Sequence, residues 1–301
     1  MGKVLIAMSG GVDSSVAAYL LKHSGWDCVG ATMTLYRNED IGISRSRTCC
    51  SLEDVEDARS VAFRLRIPYY VFNFSDEFRR QVMDRFADAY GQGRTPNPCI
   101  DCNRYLKFRH LYDRAALLGC DTIATGHYGR IERENGRYLL KKALDASKDQ
   151  SYVLYMLTQE QLAHTQFPLG ALHKAETRQL ADSLGFFNAR KPDSQDICFV
   201  PDGDYAAFIR RHSGKADTPG DFVDESGRIL GRHRGIAHYT IGQRKGLGIP
   251  SNQPLYVKAI DPKSNQVVLS ENDALFSQQL TGENFNWIAW EAPPRQFRCS
   301  A

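Results

Sequence analysis

The 301-residue sequence contains no run of about 18 apolar residues, the length that a membrane-spanning helix needs. Its first residues lead directly into an apolar strand pattern and lack the layout of a signal peptide, so we expect a cytoplasmic protein without a membrane partner. There is no internal repeat, no low-complexity tract and no long run of like charge. The 38 basic and 35 acidic residues nearly balance, and the net charge of +3 allows a nucleic-acid partner without requiring one.

Eight cysteines are present, but a cytosolic chain keeps its thiols reduced, so they are not expected to form a structural disulfide framework. Some should be ordinary buried residues, and Cys28 and Cys120 lie beside apolar stretches of that kind. Others are candidates for redox, metal or nucleophilic chemistry.

A turn rich in glycine and serine, Ser9–Ser15, separates an apolar strand pattern at Val4–Met8 from an apolar helical pattern at Val16–Leu21. This arrangement points free backbone N–H groups at an anion. The turn lacks the lysine of a Walker A loop. Because Asp13 is anionic, we expect it to hold a hydrated Mg²⁺ that bridges to phosphates. The pattern resembles the PP-loop of the ATP pyrophosphatases, which split ATP into AMP and pyrophosphate. A glycine-rich turn without a ligand is the alternative.

Up to about residue 130, strand-like and helix-like segments alternate, which predicts βαβ units and a Rossmann-like parallel sheet. Ligands of such sheets lie beyond the carboxyl ends of the strands, so Ser9, Met33 and Gly126 should converge there. The predicted strands are 4–8, 28–35, 68–74 and 122–127, and the predicted helices are 16–21, 53–65, 78–90 and 101–118. Residues 130–142 predict a hairpin, and residues 159–184 predict two helical pieces.

From Pro201 the pattern changes to short strands separated by Gly, Pro and Asp, which predicts a small β-rich central domain. A further strand candidate, 285–290, comes near the end. We therefore divide the chain into 1–200, 201–272 and 273–301. The predicted strands of the central domain are 222–223, 229–230, 238–241, 256–260 and 266–269.

The second informative pattern is a Cys-x-x-Cys pair, Cys99 and Cys102, placed after two prolines and at a predicted helix start, where the helix N-terminus should lower the thiol pKa. Cys198 comes 96 positions after Cys102. Four interpretations stay open: a zinc site completed by His127 or the pair Cys49-Cys50, a three-cysteine iron–sulfur cluster, a catalytic pair that carries and resolves sulfur, or unrelated thiols.

Six segments together resemble the Cys-x-x-Cys branch of the tRNA-specific 2-thiouridylases, the MnmA/TrmU family of the PP-loop ATP pyrophosphatase superfamily. The resemblance covers almost the whole chain and implies ATP-dependent 2-thiolation of the wobble uridine of tRNA. The segments, in order, are Ser9–Ser15, Thr95–Asn103, Ala124–Tyr128, Lys148–Tyr152, Asp196–Phe199 and Gly242–Gly248.

The resemblance also implies individual roles. Cys198 would receive a persulfide sulfur from a donor protein, and Cys102 would be the nucleophile that can form a disulfide with Cys198. Asn97, Pro98 and Cys99 would contact the target base. Lys148, Asp149 and Gln150 would contact tRNA. The residues implied to bind ATP are Ala7, Met8, Ser9, Gly10, Gly11, Val12, Asp13, Ser14, Met33 and Gly126.

Two departures from the family pattern matter. Cys99 stands where many members have an aspartate that could act as acid or base. The branch with cysteine there has been linked to a [4Fe–4S] cluster held by three cysteines, which would be Cys99, Cys102 and Cys198. The family also carries a C-terminal β-barrel that grips tRNA, and we expect only its beginning at 273–301, a truncated barrel.

The expected ligands are ATP, Mg²⁺ and tRNA, with a persulfide donor protein as partner, a cluster as an open possibility, and a monomeric chain. Two other functions stay open. One is a PP-loop ligase that adenylates a small molecule, which would not need Cys102 and Cys198. The other is an RNA-binding or iron–sulfur module with a vestigial loop.

Overall fold

A computed structural model describes residues 2–41, 52–193 and 197–300. Within these ranges, no helix has both the length and the apolar character that crossing a bilayer requires. The predictions for Cys49, Cys50 and Ser194–Asp196 lie outside the described residues.

The described chain forms most of the predicted strands and helices in the predicted order, with a few additions and two strands that are not formed. The strands are β1 (Lys3–Ala7), β2 (Asp27–Thr34), β3 (Tyr69–Asn73), β4 (Thr122–Ala124), β5 (Arg130–Glu134), β6 (Arg137–Lys141), β7 (Thr165–Gln166), β8 (Gly220–Val223), β9 (Ile229–His233), β10 (Tyr256–Asp261) and β11 (Gln266–Ser270). The helices are α1 (Val12–His23), α2 (Leu52–Arg64), α3 (Ser75–Phe78), α4 (Asp84–Gly91), α5 (Pro98–Asp101), α6 (Leu111–Leu117), α7 (Gln159–Ala163), α8 (Lys174–Ser183) and α9 (Tyr205–Ser213).

The first part of the chain is built on a parallel five-stranded sheet in the order β3-β2-β1-β4-β7. This confirms the predicted Rossmann-like fold. The central strand β1 is buried on both faces, since Leu5 packs into one apolar cluster while Val4 and Ile6 pack into the other. Because β1 lies between β2 and β4, the carboxyl ends of these three strands stand side by side.

One strand of this sheet was missed by the sequence analysis. β7 contains only Thr165 and Gln166 and interrupts the region 159–184, which was predicted as two helical pieces. The helical pieces exist as α7 and α8, but two residues are too few to produce a period-2 pattern.

Two helices that border the site contain wide turns of the π type. Residues Arg79–Met83 join α3 to α4, and residues Cys102–His110 join α5 to α6. Such turns are often found at functional sites. The first of these helices begins at Ser75 instead of the predicted residue 78, and the second begins at Pro98 instead of the predicted residue 101.

The β-rich part contains a four-stranded sheet in the order β10-β11-β8-β9 around the buried side chains of Phe222, Val257 and Val267. The predicted strand 238–241 is wrong: its first residue ends a 3-10 turn, Ile236–His238, and the residues that follow form no strand. The imidazole of His238 bonds to Asp217 at 2.9 Å and Tyr239 packs into the core, so side-chain contacts rather than strand pairing fix this segment.

The strand predicted at 285–290 is also wrong. Its carbonyl groups bond to side chains instead of to a neighbouring strand: Arg137 donates to the carbonyls of Trp287, Ile288 and Trp290, and Gln159 donates to Ile288 at 3.1 Å. This segment therefore lies against the β5–β6 hairpin as irregular chain.

Candidate functional site

The loop between β1 and α1 is held by bonds among its own residues. The N–H of Ser9 donates to Oγ of Ser14 at 3.1 Å, and the hydroxyls of Ser14 and Ser15 donate to the carbonyl of Gly11 at 3.1 and 3.0 Å. Gly10 has a positive φ of 74°, and a Cβ there would lie 2.3 Å from the carbonyl oxygen of Asp54. Only glycine fits this turn.

Two residues far along the chain fix the same loop. Nδ2 of Asn188, a buried side chain, donates to the carbonyl of Gly10 and to Oγ of Ser15, both at 2.9 Å. Nζ of Lys191 lies 2.5 Å from a carboxylate oxygen of Asp54, the residue against which Gly10 packs. Sequence reasoning missed Asn188 and Lys191, because no local pattern links positions so distant.

Asp13 faces the first turn of α8. Nζ of Lys174 donates to both carboxylate oxygens of Asp13 at 2.7 Å, and the hydroxyl of Tyr128 donates to one of them at 3.0 Å. Burial raises the pKa of Tyr128, so its hydroxyl stays protonated and donates. The carboxylate predicted to hold Mg²⁺ is therefore matched by a buried lysine that the sequence analysis did not single out.

Asp193 connects this pair to further cations. Its carboxylate accepts from Lys174 at 2.8 Å, from Arg178 at 2.7 Å and from Lys148 at 2.9 Å. Burial alone would raise the pKa of Asp193, but the hydrogen bonds from Lys174 and Lys148 outweigh it and lower the pKa to about 2. Asp193 is thus anionic at neutral pH.

Residues from the ends of β1, β2 and β4 and from the cysteine-bearing segments line one cavity of about 370 Å³. The expected convergence of Ser9, Met33 and Gly126 is confirmed. Gly126 allows β4 and α1 to meet, because a Cβ there would lie 2.8 Å from the N atom of Ser14. The predicted site residues that line the cavity are Ala7, Met8, Ser9, Asp13, Ser14, Met33, Pro98, Cys99, Cys102, Gly126, Gln150 and Cys198.

The other predicted site residues lie beside this cavity and support its walls. Gly10, Gly11 and Val12 form the turn and the start of α1. Oδ1 of Asn97 accepts the N–H of Cys99 at 3.0 Å and so caps α5, with Pro98 in its first turn.

The predicted tRNA-contact segment is bound to its neighbours as well. The carboxylate of Asp149 accepts from the N–H of Ala143 at 2.9 Å and from the hydroxyl of Ser151 at 2.8 Å. Oε1 of Gln150 accepts the N–H of Tyr128 at 2.9 Å. Lys148 pairs with Asp193 but keeps 39 % of its side chain exposed, so it remains accessible to a ligand in solution.

The expected activation of the cysteine pair by the helix N-terminus is not found at Cys102. Burial raises the pKa of the Cys102 thiol to about 11, and the nearby ammonium of Lys107 only partly opposes this. The pKa prediction was wrong because the thiol begins the wide turn that follows α5, and desolvation of its thiolate exceeds the effect of the helix end.

Neighbouring residues hold the backbone at Cys198 in place. The hydroxyl of Tyr36 donates to the carbonyl of Cys198 at 2.6 Å. The next residue, Phe199, is buried with its ring 5.3 Å from that of Phe86 and 4.9 Å from that of Phe208, measured between centroids. These contacts fix the chain that brings Cys198 to the cavity.

His127 lies deep in the cavity wall. Its Nδ1 is 2.7 Å from Oγ1 of Thr125, and its Nε2 is 3.4 Å from Nζ of Lys107. Burial, assisted by the charge of Lys107, lowers the pKa of His127 well below its usual value. The imidazole is therefore neutral at physiological pH.

The side-chain arrangement does not favour a zinc or iron–sulfur centre. Among residues 2–41, 52–193 and 197–300, no group of three His, Cys, Asp or Glu side chains is placed to hold a metal ion. Cys99, Cys102 and Cys198 share the cavity, but in this arrangement they do not form the ligand set of a zinc site or an iron–sulfur cluster.

Comparison with known proteins gives two matching family models. Residues 2–202 match the model described as tRNA methyl transferase HUP domain, and residues 206–271 match tRNA methyl transferase PRC-barrel domain. The chain is 50 % identical over 301 residues to a tRNA-specific 2-thiouridylase MnmA of Clostridioides difficile, covering 99 % of this chain and 83 % of the relative. It is 53 % identical over 293 residues to one of Lachnoclostridium phytofermentans, covering 97 % and 82 %.

One solved structure that matches is more distant in sequence. A 4-thiouridine synthetase–RNA complex with bound ATP has a TM-score of 0.46 and 20 % sequence identity, covering 71 % of this chain and 50 % of that one.

Proposed function

The chain belongs to the family of tRNA-specific 2-thiouridylases, and from this premise we propose that it catalyses the ATP-dependent 2-thiolation of the wobble uridine of tRNA. One observation carries the proposal beyond family membership. The nucleotide loop and three cysteines line the same cavity, so an activating group and a sulfur-bearing group can act on one substrate atom.

The first step activates the uridine. A C2 carbonyl resists sulfur attack because its oxygen is a poor leaving group. Attack of that oxygen on the α-phosphorus of ATP forms an O–P bond, releases pyrophosphate and leaves the C2 oxygen attached to AMP. The loop from Ser9 to Ser14 is suited to binding the pyrophosphate part, because a helix N-terminus attracts anions. Asp13 would bind the Mg²⁺ that accompanies ATP.

The second step replaces oxygen by sulfur. The terminal sulfur of a persulfide on Cys198 attacks C2, and AMP leaves with the former C2 oxygen. Cys102 then attacks Sγ of Cys198, which breaks the S–S bond, leaves sulfur on the base and forms a Cys102–Cys198 disulfide. A thiol reductant must restore both thiols before the next cycle.

The target base must leave the anticodon stack to enter this cavity, as in other base-modifying enzymes. We propose that Asn97, Pro98 and Cys99 border the base and that Lys148, Asp149 and Gln150 meet the RNA. Ala7, Met8, Met33 and Gly126 would surround the nucleotide. This assignment is supported by the way the predicted residues line or brace one cavity.

The remaining parts of the proposal concern partners and organisation. A separate protein would supply the persulfide, and the chain would act as a monomer in the cytoplasm, where its tRNA substrate is found. We propose the divisions 1–200, 201–272 and 273–301 for catalysis, for the β-rich central domain and for the start of a further domain. The extent of the two family matches supports the first two.

The test is a thiolation assay with tRNA transcript, ATP, Mg²⁺ and a protein persulfide, with 2-thiouridine measured by nucleoside mass spectrometry. We expect product from the wild type and none from Cys198→Ser or Cys102→Ser. Cys120→Ser is the matched control, since this buried thiol does not line the cavity.

The same assay separates the two sulfur mechanisms. Protein freed of iron should thiolate as fast as untreated protein if a persulfide carries the sulfur. Activity that appears only after iron and sulfide are restored would contradict the persulfide step. Absence of product from the wild type under all these conditions would contradict the proposed function itself.

A further inference from the structure

A buried lysine outside every motif contacts the nucleotide loop. Nζ of Lys174 is 2.7 Å from both carboxylate oxygens of Asp13 and 2.8 Å from Oδ1 of Asp193. Lys174 is 8 % exposed. A lysine is almost never buried unless it is paired, so these two carboxylates are what keeps the ammonium there.

Asp193 links this lysine to the protein surface. Its second oxygen accepts from Nζ of Lys148 at 2.9 Å, and Arg178 contacts Oδ1 at 2.7 Å. Charges of alternating sign therefore run from the accessible Lys148 through Asp193 and Lys174 to Asp13. We call these four residues the charge relay.

In the described part of the chain, the ion pairs of this cluster join more cations than carboxylates. Three cations, Lys148, Lys174 and Arg178, share two carboxylates. An incoming Mg²⁺ at Asp13 meets the ammonium of Lys174 and competes with it for both oxygens of the carboxylate. Removing one cation from the cluster lowers this opposition, because like charges at such short distances repel strongly when they are partly buried.

We propose that Lys174 is a positioning residue for Asp13 and that the charge relay couples tRNA binding to the binding of Mg²⁺·ATP. When Lys148 binds an RNA phosphate, it releases Asp193, whose carboxylate then pairs only with Lys174 and Arg178. The ammonium of Lys174 then shifts from Asp13 towards Asp193, and the carboxylate of Asp13 becomes available to Mg²⁺. This inference rests on the proposed function, since it takes tRNA as the ligand of Lys148.

The consequence is that nucleotide is bound weakly until the RNA substrate is present. Coupling between two binding sites is reciprocal and usually changes affinity by about 5- to 150-fold. The relay would therefore limit cleavage of ATP when no uridine oxygen is available to accept AMP.

The experiment measures binding of α,β-methylene-ATP, which cannot be cleaved to AMP, by calorimetry in Mg²⁺ with and without saturating tRNA transcript. Wild-type protein should bind the analogue about tenfold more tightly when tRNA is present. Asp193→Asn should bind the analogue and tRNA, but tRNA should not increase its affinity for the analogue. Lys174→Gln should bind the analogue without tRNA as tightly as the wild type does with tRNA, and at lower Mg²⁺.

Two further variants complete the test. Lys141 does not line the cavity, and its Nζ pairs with a carboxylate oxygen of Glu132 at 2.6 Å. Lys141→Gln should therefore retain the full gain in affinity for the analogue on tRNA binding. Lys148→Gln changes an exposed side chain and should fold even if changes at the buried positions do not. At saturating tRNA, Lys148→Gln should bind the analogue no more tightly than it does without tRNA.

The outcomes separate this inference from the function on which it rests. If Asp193→Asn and Lys148→Gln both keep the wild-type gain, the relay is overturned. If the wild type thiolates tRNA but shows no gain, the relay fails and the function stands. If the wild type neither binds nor thiolates tRNA, the proposed function fails as well.

Discussion

At the scale of single residues, Gly10 shows how tightly the loop between β1 and α1 is constrained. A methyl group at this position would meet the backbone of Asp54 at 2.3 Å, and the positive φ of 74° disfavours any other residue. Gly119 has a similar φ of 70°, but no atom lies within 4 Å of its would-be Cβ. A side chain at Gly119 would therefore meet only the cost of the backbone conformation, whereas one at Gly10 would also meet a steric clash.

We expect Gly119→Ala to lower the free energy of unfolding by about 1–2 kcal/mol, the cost of placing a side chain in the left-handed region. Gly10→Ala should lower it further and weaken ATP binding by at least about tenfold, because the loop must move away from Asp54. Urea unfolding and nucleotide titration measure the two effects. Equal stability and ATP affinity for both variants would show that the contact with Asp54 is unimportant.

Cys102 gives a second prediction at this scale. Because its pKa is raised to about 11, the thiol should be protonated at neutral pH and react slowly with iodoacetamide. Its alkylation rate, followed by peptide mass spectrometry, should keep rising beyond pH 9. Lys107→Gln should slow the reaction further, since the ammonium of Lys107 favours the thiolate, whereas Lys141→Gln should have no effect. A rate that levels off by pH 8 would contradict the burial argument.

At the scale of elements, the short segment 197–200 matters because it has almost no regular structure and yet carries Cys198. Its position depends on the buried ring of Phe199, which lies among the rings of Phe78, Phe86 and Phe208. A ring in such a cluster adds edge-to-face contacts to the burial of its area.

We therefore expect Phe199→Ala to lower the free energy of unfolding by about 3–5 kcal/mol and to abolish thiolation, because a cavity in this cluster releases the segment that bears Cys198. Phe187→Ala is the control, since Phe187 is 60 % exposed and its loss should change stability by less than about 0.5 kcal/mol. Phe199→Leu should recover part of both losses. Normal activity in a stable Phe199→Ala protein would show that this ring does not seat Cys198.

The elements also show what the sequence could predict. Strands β1 to β4 and the helices between them follow from apolar runs and 3.6-residue periodicity, which are local properties. β7 could not be found, because two residues carry no pattern. The segments 238–241 and 285–290 have strand-like composition, but contacts from Asp217, Arg137 and Gln159 determine their conformation.

At the scale of the whole molecule, the same distinction applies to the site. The loop at Ser9–Ser15 and the cysteines could be proposed as site residues because they lie in short sequence motifs. Lys174 and Asp193 could not, since one ordinary lysine and one ordinary aspartate become important only when α8 and the following loop reach Asp13. The raised pKa of Cys102 likewise depends on burial, which only the assembled fold provides.

Several buried groups should make the whole fold sensitive to acid. Burial lowers the pKa of His127 and of His233 below the usual 6.5, and Nδ1 of His233 accepts the N–H of Gly235 at 3.1 Å, as a neutral ring does. The unfolded chain binds protons first, so stability is lost as the pH falls from about 6.5. The lowered pKa of Asp193 adds a further loss between pH 3.8 and about 2.

Urea midpoints measured from pH 7.5 to pH 4 should therefore decrease steadily. His233→Asn should reduce the decrease between pH 7.5 and pH 5, because one of the two rings that resist protonation is gone. A midpoint that rises on acidification, or an unchanged slope in His233→Asn, would contradict this account.

The two outer strands of the parallel sheet have a consequence for behaviour at high concentration. Unpaired strand edges are templates for added strands from other chains. In the described part of the chain, β7 offers two residues at one edge, while β3 offers five at the other, with Tyr70 and Val71 partly exposed. Self-association by strand addition should therefore begin at β3, and a charged residue in place of Val71 is the change that should suppress it.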